Sequence, residues 1–129
     1  MIKIRILFVI IAILVIIIAA SIYGYYILKK YSDSIYTLLD KIESDVENNN
    51  WDQVRETKEK LRAKWDQAQA FFPIMVDHAE FHDLGISLSR LFTMLDIKGD
   101  KNILPELSVA KKLIRQIPDQ EKLTLRNIF

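Results

Sequence analysis

The chain has no cysteine, and only two histidines, three glycines and three prolines among its 129 residues. Without cysteine it has no disulfide framework, no thiolate metal site and no thiol nucleophile. Neither sign of charge is in excess, with 18 Lys+Arg against 17 Asp+Glu. A nucleic-acid binder carries a basic patch, and there is none here, so no nucleic acid is expected as a partner. The sequence holds no Gly-rich phosphate loop, no G-x-S-x-G elbow and no H-E-x-x-H helix, which leaves no motif for a cofactor or a hydrolase. Carboxylates are plentiful, but no spacing sets two of them in one cleft. The length gives room for one small domain and not for a multidomain enzyme. Neither an enzyme nor a cofactor is expected.

Apolar residues crowd the start. From Ile6 to Leu28 only Ser21 and Gly24 interrupt a 23-residue hydrophobic run. As a helix it spans about 34 Å, against a hydrocarbon core of about 30 Å. Lipid leaves such a segment little choice, because each backbone amide must find its partner within it. Tyr23, Tyr25 and Tyr26 beside Lys29 and Lys30 read as an interfacial belt with basic anchors. A cleaved signal peptide, with Ala19 and Ser21 as small residues near a cleavage point, is the alternative. Its apolar region would be about 7–15 residues long, so the length favours a retained anchor over 1–30, with a bundle domain over 31–129. Lys3 and Arg5 before the span stand against Lys29, Lys30 and Lys41 after it, so the positive-inside rule barely discriminates. The expected orientation, a short cytoplasmic N-terminus and an extracytoplasmic C-terminal domain in the cell membrane, rests on the position of the anchor near the start.

No Gly or Pro occurs between Gly24 and Pro73, so the anchor helix is expected to continue into the second part of the chain. Ile35, Leu38, Leu39, Ile42 and Val46 recur at helical spacing and carry it to about Val46. Asn48, Asn49 and Asn50 break it, and Asn50 with Gln53 three residues later forms a capping-box pattern. A second helix holds Trp51, Val54, Leu61, Trp65, Ala68 and Phe72 on one stripe, with Lys58 in its one polar gap. Both tryptophans read as core. Arg55, Glu59, Lys60 and Lys64 read as a solvated face.

Pro73 suits a first helical turn and predicts a third helix from Pro73 to Ile97, with a kinked continuation of the second as the alternative. Lys98-Gly99-Asp100 supplies a stop. A last helix over Leu104–Ile117 turns Leu107, Ala110, Leu113, Ile114 and Ile117 inward and ends at Pro118. The fold class is therefore all-α, an N-terminal transmembrane helix running into an antiparallel bundle of about four helices.

The densest chemistry is Asp77-His78-Ala79-Glu80-Phe81-His82-Asp83, which holds both histidines. His78 and His82 lie one turn apart at the edge of the apolar face and make a candidate metal pair or pH-responsive pair. Glu80 falls about 160° from His78 around the helix, so a third ligand must come from elsewhere. A histidine pair satisfied at a helix–helix seam is the structural alternative. Asp77 lands inside the apolar arc, excused by the helix start after Pro73. Glu80, Asp83, Ser87 and Arg90 form a polar stripe, read either as a hydrated face or as a docking edge.

Asp77-His78-x-Glu80, Ile86-Ser87-Leu88-Ser89-Arg90-Leu91, Glu106-Leu107 and the ending Glu121-Lys122-Leu123-x-Leu125-x-Asn127-Ile128-Phe129 resemble the bacterial family called domain of unknown function 4363. The resemblance runs over nearly the whole chain, with Pro73 and Pro118 outside its pattern. It implies a small single-pass membrane protein of Gram-positive, often spore-forming, bacteria with no assigned activity. It also implies an accessory role beside a larger membrane protein similar to the YetF family. The matched positions His78, Glu80, Arg90, Asn127 and Phe129 become the residues to test. A homodimer is the other expected assembly, although Ala20–Gly24 is the only small-xxx-small pair in the anchor. The sequence thus predicts a non-enzymatic interaction subunit, with an extracytoplasmic sensor domain using His78 and His82 as the alternative.

Overall fold

A computed structural model describes residues 1–97 and 101–128, with side chains described as far as Asp119. It is helical throughout, with no strand among the described residues. Helix α1 runs unbroken over Ile2–Glu47, a length of about 69 Å. Its N-terminal half is long and apolar enough to cross a membrane, and none of that window is covered by protein. Its C-terminal half places Leu28, Ser32, Ile35, Leu39, Ile42 and Val46 inward. Those intervals alternate four and three, the spacing that keeps one seam facing a packed neighbour.

The turn after α1 is a Schellman closure. Asn50 N–H donates to Asp45 O at 2.8 Å and Asn49 N–H to Val46 O at 3.2 Å, with Asn49 at φ 59°. Asparagine tolerates that left-handed conformation better than other side-chain-bearing residues. Helix α2, Trp51–Ala68, returns along α1 with Val54, Thr57, Leu61, Trp65 and Ala68 buried. Asn50 does stand at its N-cap, and its carbonyl accepts from Val54 N–H at 3.1 Å. The capping-box side-chain bond does not form. Gln53 instead accepts from Lys41 Nζ of α1 at 3.4 Å.

The expected helix from Pro73 to Ile97 is two helices. Pro73 opens only the single turn α3, Phe72–Met75, after which Val76 is extended at φ −111°, ψ 147°. Helix α4 then covers His78–Ile97, begun by Asp77, whose carbonyl accepts from Phe81 N–H at 3.0 Å. Asp77 is exposed at this break and Phe72 belongs to α3, so the apolar-arc difficulty disappears. Ile74 moves the other way and stands 84% exposed. Leu84, Ser87, Leu88 and Leu91 face inward from α4.

A 3-10 turn over Lys101–Ile103 leads into α5, Leu104–Ile128. Pro118 lies inside α5 and does not end it. Proline removes the amide that would pair with the Ile114 carbonyl, at a cost of about 3 kcal/mol. Burial of Ile114, Ile117 and Pro118 itself offsets that loss. Helices α2 and α5 both pack on α1, and α4 closes mainly on α5. One core joins them, from Leu28 and Ile35 through Leu61, Trp65, Phe72 and Leu88 to Leu107 and Ile114.

The corner at α3 meets α1 inside the apolar run. A Cβ on Gly24 would stand 3.1 Å from the Met75 methyl carbon. The Ala20–Gly24 pair therefore lines a groove shared with Met75 of the same chain. Tyr31 and Phe71 pack edge to face above it, with centroids 4.6 Å apart.

Candidate functional site

The segment around the two histidines forms one wall of a cleft of about 450 Å³ between α2 and α4. His78 and His82, both exposed, project from successive turns of α4 towards Trp65 of α2. Trp65 stacks on Phe81 with centroids 5.6 Å apart and 30° between planes, which gives the cleft an aromatic floor. A Cβ on Gly85 would meet the Trp65 ring at 3.8 Å, an ordinary contact, so the close approach of this wall to the ring does not depend on glycine. Arg90 lies at the far end of the same cleft, without an ion pair among the described residues. The structure thus gathers His78, His82 and Arg90. The described residues contain no group of three metal-ligating side chains, so the histidine pair has no third ligand within them.

Glu80 does not join that cleft. It is half-buried on α4, away from Arg90. Ser87 also leaves the expected polar stripe, because it is buried and its hydroxyl donates to Glu106 Oε1 of α5 at 3.0 Å. The stripe is thereby divided between interior and surface. The side chain of Asn127, and Phe129 as a whole, lie outside the described residues.

Two cross-helix charge clusters hold the faces together. Lys58, the polar gap in the α2 stripe, is only 13% exposed and reaches Asp96 of α4 at 2.8 Å. Arg62 reaches the same carboxylate at 3.1 Å and its guanidinium lies over Phe92. Hydrogen bonding from Lys58, then from Arg62, holds the Asp96 carboxyl below its ordinary range. On the opposite side Lys111 of α5 joins Asp40 at 2.8 Å and Glu43 at 3.1 Å, both on α1. Asp40, more than Glu43, holds the Lys111 ammonium above its ordinary range, against the opposing effect of burial. The expected solvated face of α2 carries short-range pairs, Arg55 with Asp52 and Lys60 with Glu56.

A second cleft escaped the sequence reading. It holds about 440 Å³ between α1 and α5, where the apolar run gives way to charge. Tyr25, Lys29, Ser32 and Asp33 line it from α1, and Arg115 and Asp119 from α5. The signal that marks it is Ser32, a hydroxyl on an otherwise apolar seam between Leu28 and Ile35. Arg115 is held by stacking, its guanidinium carbon 4.4 Å from the Tyr36 ring centre.

No curated protein and no solved structure matches the chain. The family model described as domain of unknown function (DUF4363) matches residues 22–128, from within the apolar run to the end of α5. With the helical order and the Asp77–Arg90 segment placed as above, that match means the chain belongs to the DUF4363 family.

Proposed function

We propose that the protein is a single-pass, membrane-anchored helical bundle that acts by protein–protein contact and performs no catalysis. The observation that carries this is α1 itself, one helix whose first half is apolar and uncovered and whose second half is the central strut of the bundle. A break between anchor and domain would let the bundle tumble freely. A continuous helix fixes its distance and facing relative to the bilayer, which suits a subunit docking beside a larger membrane protein or a second copy. The family resemblance favours a partner similar to the YetF proteins, with the bundle on the outer side of a bacterial cell membrane. Among the named interaction candidates, Arg90 stands exposed at the end of an aromatic-floored cleft, as a docking residue requires.

The test uses the full-length tagged chain in native membranes. Alkaline extraction is expected to leave it in the pellet, and release into the supernatant overturns the anchoring. Mild-detergent recovery is expected to yield a stoichiometric membrane partner or a dimer. Recovery as a bare monomer overturns the contact role.

One observation favours a second reading, that the bundle senses metal or pH through His78 and His82. Both imidazoles are exposed, one turn apart, on the same cleft wall. Titration of the full-length protein with zinc is expected to give saturable binding that disappears in the His78→Ala/His82→Ala variant. A flat calorimetric trace sinks that reading.

A further inference from the structure

The cleft between α1 and α5 lies at a particular depth. If the hydrocarbon core ends at Tyr23, below the Gly24–Met75 corner, the rim residues Tyr25 and Lys29 of the cleft stand about 3 and 9 Å beyond it. The headgroup layer on each side of a bilayer is about 5–8 Å thick. The mouth of the cleft therefore opens among the lipid phosphates.

Its interior contains an unanswered hydroxyl. Ser32 is only 2% exposed, and its Oγ has no hydrogen-bond partner among the described residues. Other hydroxyls on these helices are answered, Ser21 by the Ile17 carbonyl, Thr37 by that of Asp33, Thr93 by that of Ser89, and the buried Ser87 by Glu106. Ser32 is not, and lines the cleft instead. Leaving a buried hydroxyl unpaired is costly unless something else supplies the bond.

Charge says what the occupant is. Lys29 and Arg115 are balanced by Asp33 and Asp119 around the same space. A purely anionic ligand meets as much repulsion as attraction there, whereas a group carrying both signs finds a partner for each. A guanidinium already braced on an aromatic ring presents its fork to phosphate oxygens with little further ordering. The carboxylates require N–H donors, which a primary ammonium has and a quaternary one lacks. An aromatic cage for a quaternary ammonium is not free, because Lys111 and Arg115 already lie 5.2 and 4.4 Å from the Tyr36 ring centre.

We propose that this cleft seats the headgroup of a phosphatidylethanolamine-type lipid. Lys29, Arg115 and the Ser32 hydroxyl take the phosphodiester, and Asp33 and Asp119 take the ammonium. The proposal rests on the membrane-anchored reading and adds a lipid specificity to it. Such a seat would fix the rotation of α1 about its own axis in the leaflet, which a smooth apolar helix cannot do alone.

The experiment is native mass spectrometry of the full-length protein, released from nanodiscs of equal parts phosphatidylethanolamine, phosphatidylglycerol and phosphatidylcholine. The wild type is expected to retain phosphatidylethanolamine about tenfold over the other two, the worth of one charge-assisted contact. Arg115→Ala/Asp119→Ala, at exposed positions that leave the core intact, is expected to retain the three lipids equally. Ser32→Val is expected to cut the preference several-fold. Equal retention by the wild type, or an undiminished preference in the double variant, overturns the proposal. Displacement of the lipid by water-soluble glycerophosphoethanolamine also overturns it, in favour of a free phosphodiester ligand, and failure to displace supports a lipid. Alkaline extraction of the same preparation separates the two readings. A chain that washes off fails as an anchor, and a chain that stays but shows no headgroup preference fails only as a lipid seat.

Discussion

Lys111 is the residue that ties the last helix to the first. Its side chain is only 16% exposed and meets Asp40 and Glu43 across the α1–α5 seam. Because those carboxylates are partly solvated, the expected loss in Lys111→Met is about 1 kcal/mol, read as a lowered melting temperature. The pH dependence follows from the direction of each shift. Lys111 is raised in the folded state, so its contribution is full below the ordinary 10.5 and is lost as pH climbs through the raised value. Asp96 is lowered, so its contribution is present above the ordinary 3.8 and is lost as pH falls through the lowered value. The gap in melting temperature between wild type and Lys111→Met is therefore expected to hold steady around neutrality and to close in strong alkali. A gap that closes near pH 7 contradicts the assignment. A second residue-scale prediction concerns Asn49, at φ 59° in the turn between α1 and α2. Asn49→Gly is expected to raise thermal stability slightly, and Asn49→Val to lower it by about 1–2 kcal/mol. The sequence marked this turn through its three asparagines but misassigned the capping bond. Gln53 stands at capping-box spacing from Asn50, but the competitor that claims it, Lys41, lies across a helix pair.

At the scale of elements, local periodicity was legible and punctuation was not. The α1 stripe reads directly from the three-and-four spacing, because no helix breaker interrupts it and every inward position save Ser32 is apolar. Pro73 and Pro118 each misled, for opposite reasons. Pro73 predicts the start of a long helix, but the turn it opens closes at Met75, and the long helix is begun by Asp77, whose carbonyl accepts from the Phe81 amide four residues on. Pro118 predicts a stop, but tertiary packing carries the helix onward. The same contrast predicts what a proline does to α1. Ser34→Pro would strip the amide that serves the Lys30 carbonyl at the junction of anchor and bundle, where the helix cannot bend without lifting Ile35 and Leu39 from the core. A loss of about 3 kcal/mol or more is expected, with circular dichroism showing reduced helicity at 37 °C. Wild-type stability in Ser34→Pro would mean that α1 is already hinged there. Of the candidate site, the wheel placed His78 and His82 at the edge of the apolar face. The cleft they share with Trp65 and Arg90 was not legible, since its other wall comes from a different helix. The α1–α5 cleft was hidden in the same way, its residues separated by some eighty positions in sequence.

For the whole molecule the question is where the bundle begins. Composition divides the chain at residue 30, where the apolar run yields to charge, but packing does not divide it there. Leu28 is fully buried in the common core, and Gly24 receives the Met75 side chain of α3. The last turn and a half of the apolar run thus belongs structurally to the domain above it, and the family match starts earlier still, at residue 22. Two soluble fragments, 31–129 and 22–129, separate these descriptions. Removing Leu28 forfeits about 1.5–3 kcal/mol of burial, and for a domain of this size each kcal/mol moves the melting temperature by about 4–8 °C. The longer fragment is therefore expected to melt at least several degrees higher and to show a later urea midpoint when followed by Trp65 fluorescence. Equal midpoints would mean that the α3 corner closes on itself without the membrane helix, and that the anchor is only a tether. A later midpoint for 22–129 means that the seam from Gly24 to Val46 is one folding unit. A pull on the apolar half of α1 is then transmitted to the bundle through packed side chains and not through a loose linker, which is the mechanical condition that the proposed docking role requires.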